Sequence, residues 1–581
     1  MTFTRSGVEI EIALDTALVD VMATGSGGVG RRIAELDSAE EFPSPLVDLL
    51  DAFGLPAYYV PTGWGGAVED HELLLRLWRT VARRDLSAVI AHGKTYLGAA
   101  SVWIAGDAEQ AAATAARILA GAQIAWALSE PDHGADLLNG EVAATARAAG
   151  YRLDGVKWPI NNATRARYLT VLARTGKAGT GRGQSLFLVD KAALEPGTWR
   201  LLPKEPTHGI RGVDISGIAF QDATLPATAL LGAEGTGVET VLRALQLTRT
   251  LCTALSLGSG EHALRLAAAF AAERIIQRRP LLARAYPRAA LGRCAALLAA
   301  AEATAVVSSR SIHALTGEMS VISAVVKALV PTLTDVMLGE VAELLGARSF
   351  LTDVYAHGAF QKIWRDHQIV SVFDGSTPVN RSALIQQFPR LAREFAAGTV
   401  DTDGLAKAVS VGSAPGPLDR GALTLLSRRG CSLLQSLPAL AGSITAETAP
   451  DGLAAHATAL AATTRRVHEL MAEVPPAAHP PMAAYELAAA YELCYAGAAC
   501  LHTWSAERHR DEPLWENGLW VRAALRALRV RLDATLRLPA PGAEAGDDLI
   551  DDAIAERVAA AARTGAPVTP FGTPMIPEDR S

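Results

Sequence analysis

WALSEPDHGADLLNGEVAATARAAGYRLDGVKWPINNATRARYLTVLART, residues 126–175, is the stretch on which the fold turns. Its runs are short and partly alternate apolar with polar residues. Gly, Asp and Asn separate them, which predicts strands joined by turns. The Asp154-Gly155 pair predicts a tight turn. Ser129 to Asp136 reads as a loop with free backbone donors and acceptors. The next strand would present Trp158, Pro159, Ile160 and Asn161 as a flat apolar surface edged by amides, suited to a polar-edged aromatic ring system. Taken alone, Trp126 and Trp158 read as core residues, Asn161-Asn162 as a turn, and His133 and His208 as exposed loop histidines.

On either side the texture is helical. LVDLLDAFGL and HELLLRLWRTVARRDLSAVIAHG carry apolar residues at three-to-four spacing, interrupted by the Pro/Gly loop VPTGWGG (60–66). After residue 235, long apolar-periodic segments predict an antiparallel four-helix bundle. VGSAPGPLD (411–419) reads as a linker, followed by an Ala-rich helical block. The expected architecture is mainly α with a central antiparallel β domain. Its parts are a helical domain (1–122), a β domain (123–235), a bundle (236–395) and an added helical domain (396–581).

Whole-chain properties narrow the classes. A formal net charge of −7 argues against a nucleic-acid binder, which concentrates basic surface. The five cysteines, Cys252, Cys294, Cys431, Cys494 and Cys500, are scattered and lack metal-ligand spacing, so no metal site is expected and a reduced, cytoplasmic setting is. MTFTRSGVEIEIALD has no charged-then-apolar leader. No uncharged apolar run of about 18 residues stands out, so no spanning helix is expected. GSGGVG (25–30) matches a dinucleotide-binding pattern, but the text before it reads as helix, and an inter-helix loop is the better reading. In 519–538, Leu525, Leu528, Leu532 and Leu536 share one face and Arg522, Arg526 and Arg529 another. A packed helix with solvated arginines is favoured there over a membrane-surface helix.

RDHQIVSVFDGSTPVNRSALIQQF (365–388) carries the chemistry. Thr377-Pro378 predicts a helix start with Thr377 as N-cap. Asp374-Gly375-Ser376 is then a loop feeding that helix. Locally, Asp374 is as good a turn former as a base.

The ordered set of motifs resembles the acyl-CoA dehydrogenase family. It comprises VPTGWGG, ALSEPDHGAD, GVKWPIN, LLGAEGTGVETVLRALQLTR, AAERIIQRRPL and RDHQIVSVFDGST, over about residues 45–390. The resemblance implies FAD as cofactor, contacted by Trp126, Leu128, Ser129, Gly134, Ala135, Pro159, Ile160 and Asn161. It also implies contacts from Arg274 (to a neighbouring subunit's FAD), Gly346 and Ser376. It places Arg249 and Gly375 at the acyl pocket. It makes Asp374 the base that removes the α-proton of an acyl thioester while the β-hydrogen leaves as hydride to flavin N5. The usual residue there is glutamate. Thr248 stands where some members keep the acid instead, and it cannot serve as a base. Further departures are Pro159 for tryptophan, Asn161 for Thr/Ser, Ala135 for Ser, Gln277-Arg278 for Phe-Gly and Glu343 for glutamine.

The implied activity is α,β-dehydrogenation of an acyl-CoA or acyl-carrier-protein thioester. The electrons would pass to an electron-transfer flavoprotein or oxygen, and a homodimer is favoured. Oxidation of a nitroalkane-like carbon acid on the same scaffold, or a non-catalytic acyl-binding subunit, are the alternatives.

Overall fold

The computed structural model describes residues 6–22, 28–538 and 547–576. Helices α1 (Gly7–Met22), α2 (Gly28–Ser38), α3 (Ser44–Phe53), α4 (His71–Ala82), α5 (Leu86–Ala105) and α6 (Ala108–Leu119) form the first part. Residues 25–27 of the glycine-rich pattern lie outside the described residues. The rest of it opens α2, and α1 rather than a strand precedes it. Asp70 and Asp85 cap α4 and α5, their carboxylates accepting from the N–H groups two residues on, Glu72 and Ser87, at 2.7 Å each. The sequence of α5, LSAVIAHGKTYLGAASVWIA, is apolar on every side, and the helix is correspondingly buried along most of its length.

Eight strands form one sheet: β1 (Ile124–Ala127), β2 (Ala143–Arg147), β3 (Gly150–Asn161), β4 (Tyr168–Arg174), β5 (Gln184–Asp190), β6 (Trp199–Leu202), β7 (Ile215–Pro226) and β8 (Leu230–Leu231). The order is β6-β7-β3-β2-β4-β5-β8, with β1 also on β4. The sheet is mixed rather than antiparallel, because β1 and β2 each pair with β4 in parallel. Residues 128–167 give the chain enough length to return in the same direction. The expected turn at Asp154-Gly155 is instead a β-bulge inside β3, with a register shift against β7. The β2–β3 turn lies at residues 148–149.

The bundle follows: α7 (Gly237–Leu251), α8 (Thr253–Glu273), the short hairpin β9 (Ile275–Ile276) and β10 (Arg279–Pro280), α9 (Ala285–Ala314), α10 (Met319–Leu345), α11 (Ala359–His367) and α12 (Thr377–Ile385). By length and composition, Ala285–Ala314 and Thr316–Ser349 could each cross a membrane, contrary to the sequence expectation; here 94% and 83% of their most apolar windows are buried inside the protein. The N-cap of α12 is Ser376, one residue before the expected Thr377, and its side chain makes no capping hydrogen bond.

The added block comprises α13 (Phe388–Ala397), α14 (Thr402–Val409), α15 (Ser432–Gln435), α16 (Leu437–Ser443), α17 (Leu453–Ala472), α18 (Met482–Glu507), α19 (Leu519–Thr535) and α20 (Asp547–Thr564). In α19, Leu525, Leu528 and Leu532 are buried, while Arg526 pairs with Asp551 and Arg529 with Asp533. The helix packs inside the protein.

A buried charge lattice joins the parts. Arg79 of α4 pairs with Glu261 of α8 at 2.9 Å and with Glu302 of α9. Arg84 pairs with Asp15 at 2.8 Å, and Arg310 with Glu72 at 2.7 Å. The tail after α20 enters the same lattice. Thr569 Oγ1 and Phe571 N donate to Glu302 at 2.7 and 2.9 Å. A buried ion pair costs most when one partner is removed, because the other charge stays in low dielectric. Arg79→Met is expected to lower the unfolding free energy by about 3–5 kcal/mol, read by chemical denaturation. A loss below about 1 kcal/mol, the scale of a surface pair, would show that the lattice does not hold the domains together.

Candidate active site

The site is built around α5. On its β-domain side, Asn161 Nδ2 donates to the Ile90 carbonyl at 3.2 Å, and Asn162 Nδ2 to the Ala91 carbonyl at 2.6 Å. Gly98 packs so closely on β1 that a Cβ there would lie 2.5 Å from the Ile124 carbonyl oxygen. One helical turn along from Ile90, Lys94 reaches Asp374 Oδ1 at 3.5 Å.

Asp374 lies in the loop 371–376 with φ 55°, a left-handed conformation that costs a non-glycine residue about 1–2 kcal/mol. Three contacts hold it. Arg249 Nε of α7 donates to the Asp374 carbonyl at 2.9 Å. Lys327 Nζ of α10 donates to the carbonyls of Val370 at 2.7 Å and Gly375 at 3.2 Å. Gly375 has φ 96°, and a Cβ there would sit 2.8 Å from Arg249 Nη2, so only glycine lets the guanidinium close over the loop.

The Asp374 side chain is 9% exposed. Cys252 Sγ lies 3.6 Å from its Oδ2. Burial pushes the Cys252 thiol well up, as does the neighbouring Asp374 charge, so it stays a neutral donor. Lys94 also lies over the Phe373 ring, 4.4 Å from its centre. Burial pulls Lys327 down to about 8 and Arg249 to about 10, in both cases against the attraction of Asp374. One carboxylate thus faces three cations: Lys94 from α5, Arg249 from α7 and Lys327 from α10.

The wall from the β domain rests on Lys157. Its Nζ donates to the Leu128 carbonyl at 2.8 Å and to Glu130 Oε1 at 2.7 Å. Glu130 in turn accepts from the N–H groups of Glu141 at 2.6 Å and Val142. Trp158 N donates to the Ser129 carbonyl at 3.0 Å. Leu128, Ser129, Ile160 and Asn161 are thereby assembled beside α5, the helix whose Lys94 reaches the group of Asp374, Gly375 and Arg249. Ser376 follows in the same loop and stands at the N-cap position of α12. Gly134, Ala135 and Pro159 are exposed at the margin of the β domain. Arg274 and Gly346 lie exposed at the C-terminal ends of α8 and α10, and neither hydrogen-bonds to the Asp374 group. Lys94, Lys327, Cys252 and the Lys157–Glu130 pair carried no assigned role in the sequence. Only the E in ALSEP and the K in GVKWPIN pointed at any of them.

Among the described residues, Trp126 Nε1, Asn161 Oδ1 and Thr248 Oγ1 are buried without hydrogen-bond partners. They come from β1, β3 and α7, three elements that meet α5. Buried polar groups are rarely left unpaired in a finished structure, so these orphans suit a bound group with polar edges. The residues present fit a flavin.

Two family profiles match the chain: the middle domain of acyl-CoA dehydrogenases over residues 125–223 and their C-terminal domain over 235–388. A probable acyl-CoA dehydrogenase of Mycobacterium tuberculosis is 26% identical over 367 residues, covering 63% of this chain and 92% of that protein. The human mitochondrial short-chain specific acyl-CoA dehydrogenase is 28% identical over 359 residues, covering 60% and 84%. Among solved structures, the acyl-CoA dehydrogenase of Bacillus anthracis complexed with FAD superposes with a TM-score of 0.67 at 17% identity. It covers 97% of this chain and 96% of that one, so its fold includes a counterpart of the added helical block.

The Lys157–Glu130 pair gives a direct test of how the wall is held. Lys157→Met should destabilise the protein by about 3–5 kcal/mol in denaturant titration. Adding Glu130→Gln should recover part of that loss, because the stranded charge goes with it. Additive losses in the double variant would rule out a coupled pair.

Proposed function

Because the chain belongs to the acyl-CoA dehydrogenase family, we propose that it is an FAD-dependent oxidoreductase that introduces an α,β double bond into an acyl thioester. The observation that supports this best is the Asp374 carboxylate, fixed in a strained loop and contacted by Lys94 of α5, the helix to which the β domain is tied. Trp126, Leu128, Ser129, Ile160 and Asn161 would hold the flavin, with Ser376 on the bundle side. When bound, FAD supplies the hydride acceptor.

The chain's own residues do the proton chemistry. Asp374 accepts the α-proton of the thioester. Its Lys94 contact is at the outer limit of a hydrogen bond and can be exchanged for the substrate. Arg249 and Lys327 fix the loop that carries Asp374 through its backbone carbonyls, and Lys94 touches the carboxylate itself. Aspartate has an arm one methylene shorter than the family's usual glutamate, so the thioester must come closer to the 371–376 loop for the base to reach its proton. The acyl carrier is CoA or a carrier protein, and the acceptor of the electrons a separate flavoprotein or oxygen.

Asp374→Asn should keep the flavin absorbance of the purified protein. It should slow anaerobic bleaching by the best of a panel of acyl-CoA and acyl-carrier thioesters by about 10²–10⁴-fold. Unchanged bleaching would remove Asp374 from the reaction, and bleaching by nitroalkanes alone would replace the thioester reading. A protein that stays colourless after FAD is added would leave only a scaffold role.

Lys327 sets an upper pH limit. It is charged below about 8 and loses its proton as the pH rises through that value, weakening its hold on the Val370 and Gly375 carbonyls. The kcat/KM profile should therefore fall above about pH 8. The Lys327→Met variant should be less active and lack that alkaline limb. An identical limb in the variant would assign it to another group.

A further inference from the structure

A cavity of about 310 Å³ lies away from Asp374. Its walls come from α2, the start of α5, α8, α11, the end of α20 and the tail behind it. Neither Asp374, Arg249 nor any β-domain residue lines it. The size is that of a small-molecule site, with room for about ten non-hydrogen atoms at a liquid-like 30 Å³ each.

One end of the cavity is built for a polar group. Ser259 and His262, three residues apart on α8, share a face of that helix and both line the space. Ser259 is 1% exposed, and its Oγ has no hydrogen-bond partner among the described residues. His262 likewise makes no hydrogen bond among them. Burial, Arg84, Arg265 and Lys362 pull its imidazole down to about 3, so at neutral pH it is uncharged and offers one N–H. The three cations are already paired: Arg84 with Asp15, Arg265 with Glu261, and Lys362 with Asp85 and Asp366, which line the cavity beside it. Their combined field at His262 remains positive enough to oppose protonation despite Glu261. Two vacant donors in a positive field suit an anion's oxygen atoms. The rest of the wall mixes apolar side chains, Ile33, Leu86, Leu266, Ile363 and Met575, with the carboxylates of Asp37, Asp85 and Asp366, which are paired with Arg365 and Lys362.

We propose that this cavity is a second ligand site, for a short amphipathic carboxylate. Its head group sits on Ser259 and His262, and its chain of about eight carbons lies against α2, α8 and α11. Burial of its CH₂ groups gives a tail of that length most of its affinity. The carboxylate end sets the orientation.

Octanoate, octanol and octylamine titrated calorimetrically into the FAD-loaded full-length protein test this. Octanoate should bind one site, at least tenfold tighter than octanol, with octylamine weaker still. Affinity should be unchanged in Asp374→Asn and at least tenfold lower in Ser259→Ala/His262→Leu. A separate variant, Ala269→Phe, narrows the cavity while leaving both polar residues, and should abolish the binding with the melting temperature retained. Absence of saturable octanoate binding, equal affinity for octanol, or full affinity in both the double variant and Ala269→Phe would each overturn the assignment.

Discussion

Helix α5 is the element from which every part of the candidate site is measured. It is buried on all faces, so it cannot shift without opening the core against α4, α7 and the sheet at once. The carbonyls of Ile90, Ala91 and Gly98 each accept a side-chain hydrogen bond from the β domain, the last from Thr170 Oγ1 at 2.7 Å. A second acceptor bond at a helical carbonyl is modest in energy, but it is directional, and three along one helix fix its rotation as well as its position. Lys94 is thereby aimed at Asp374. The distance between the β-domain wall and Asp374 is a property of α5 more than of either domain.

Charge is distributed differently at the two polar centres of the molecule. In the lattice of Arg79, Arg84 and Arg310 with Asp15, Glu72, Glu261 and Glu302, each cation meets at least one carboxylate. Those contacts are structural, and they offset desolvation that would otherwise be prohibitive. Around Asp374 the balance fails: Lys94, Arg249 and Lys327 share one carboxylate, and burial lowers the proton affinity of Arg249 and Lys327. A buried excess of positive charge is unfavourable in the resting protein. Two of the three cations are engaged by backbone carbonyls of the 370–375 loop, so their charge serves to hold that loop in place. The strained φ of Asp374 is a further local cost that these contacts sustain.

Local pattern made the helices, most strands and the 365–388 segment legible, because periodicity and turn residues act within a few positions. What escaped was set by tertiary pairing. β6 and β8 are too short to show alternation, and the parallel docking of β1 and β2 on β4 depends on a return path no local window contains. Asp154-Gly155 has the composition of a turn, but the strand's pairing with β7 carries through it and makes a bulge. Lys94 and Lys327 sit in helices whose apolar spacing was the visible signal. Their importance lies in the loop they reach, which belongs to a segment far along the chain. The resemblance to the family singled out Asp374 as the expected base, and the structure supplied the surroundings of that residue.

The added C-terminal block is more than a cover, because its tail completes a polar network that begins in α1. Arg83 Nη2 and Arg84 Nη2 donate to the carbonyls of Pro574 at 3.1 Å and Ile576 at 2.7 Å, and Ile576 N returns a bond of 2.7 Å to Asp15. These arginines follow directly on α4, and Asp85 beside them caps α5. The backbone carbonyls of the tail therefore satisfy guanidinium groups at the point where α5 begins. Without the tail, buried N–H donors of Arg83 and Arg84 would lose their acceptors, each at a cost of about 1–3 kcal/mol. The end of the chain thus bears on the helix that sets the site, through contacts remote from Asp374 itself.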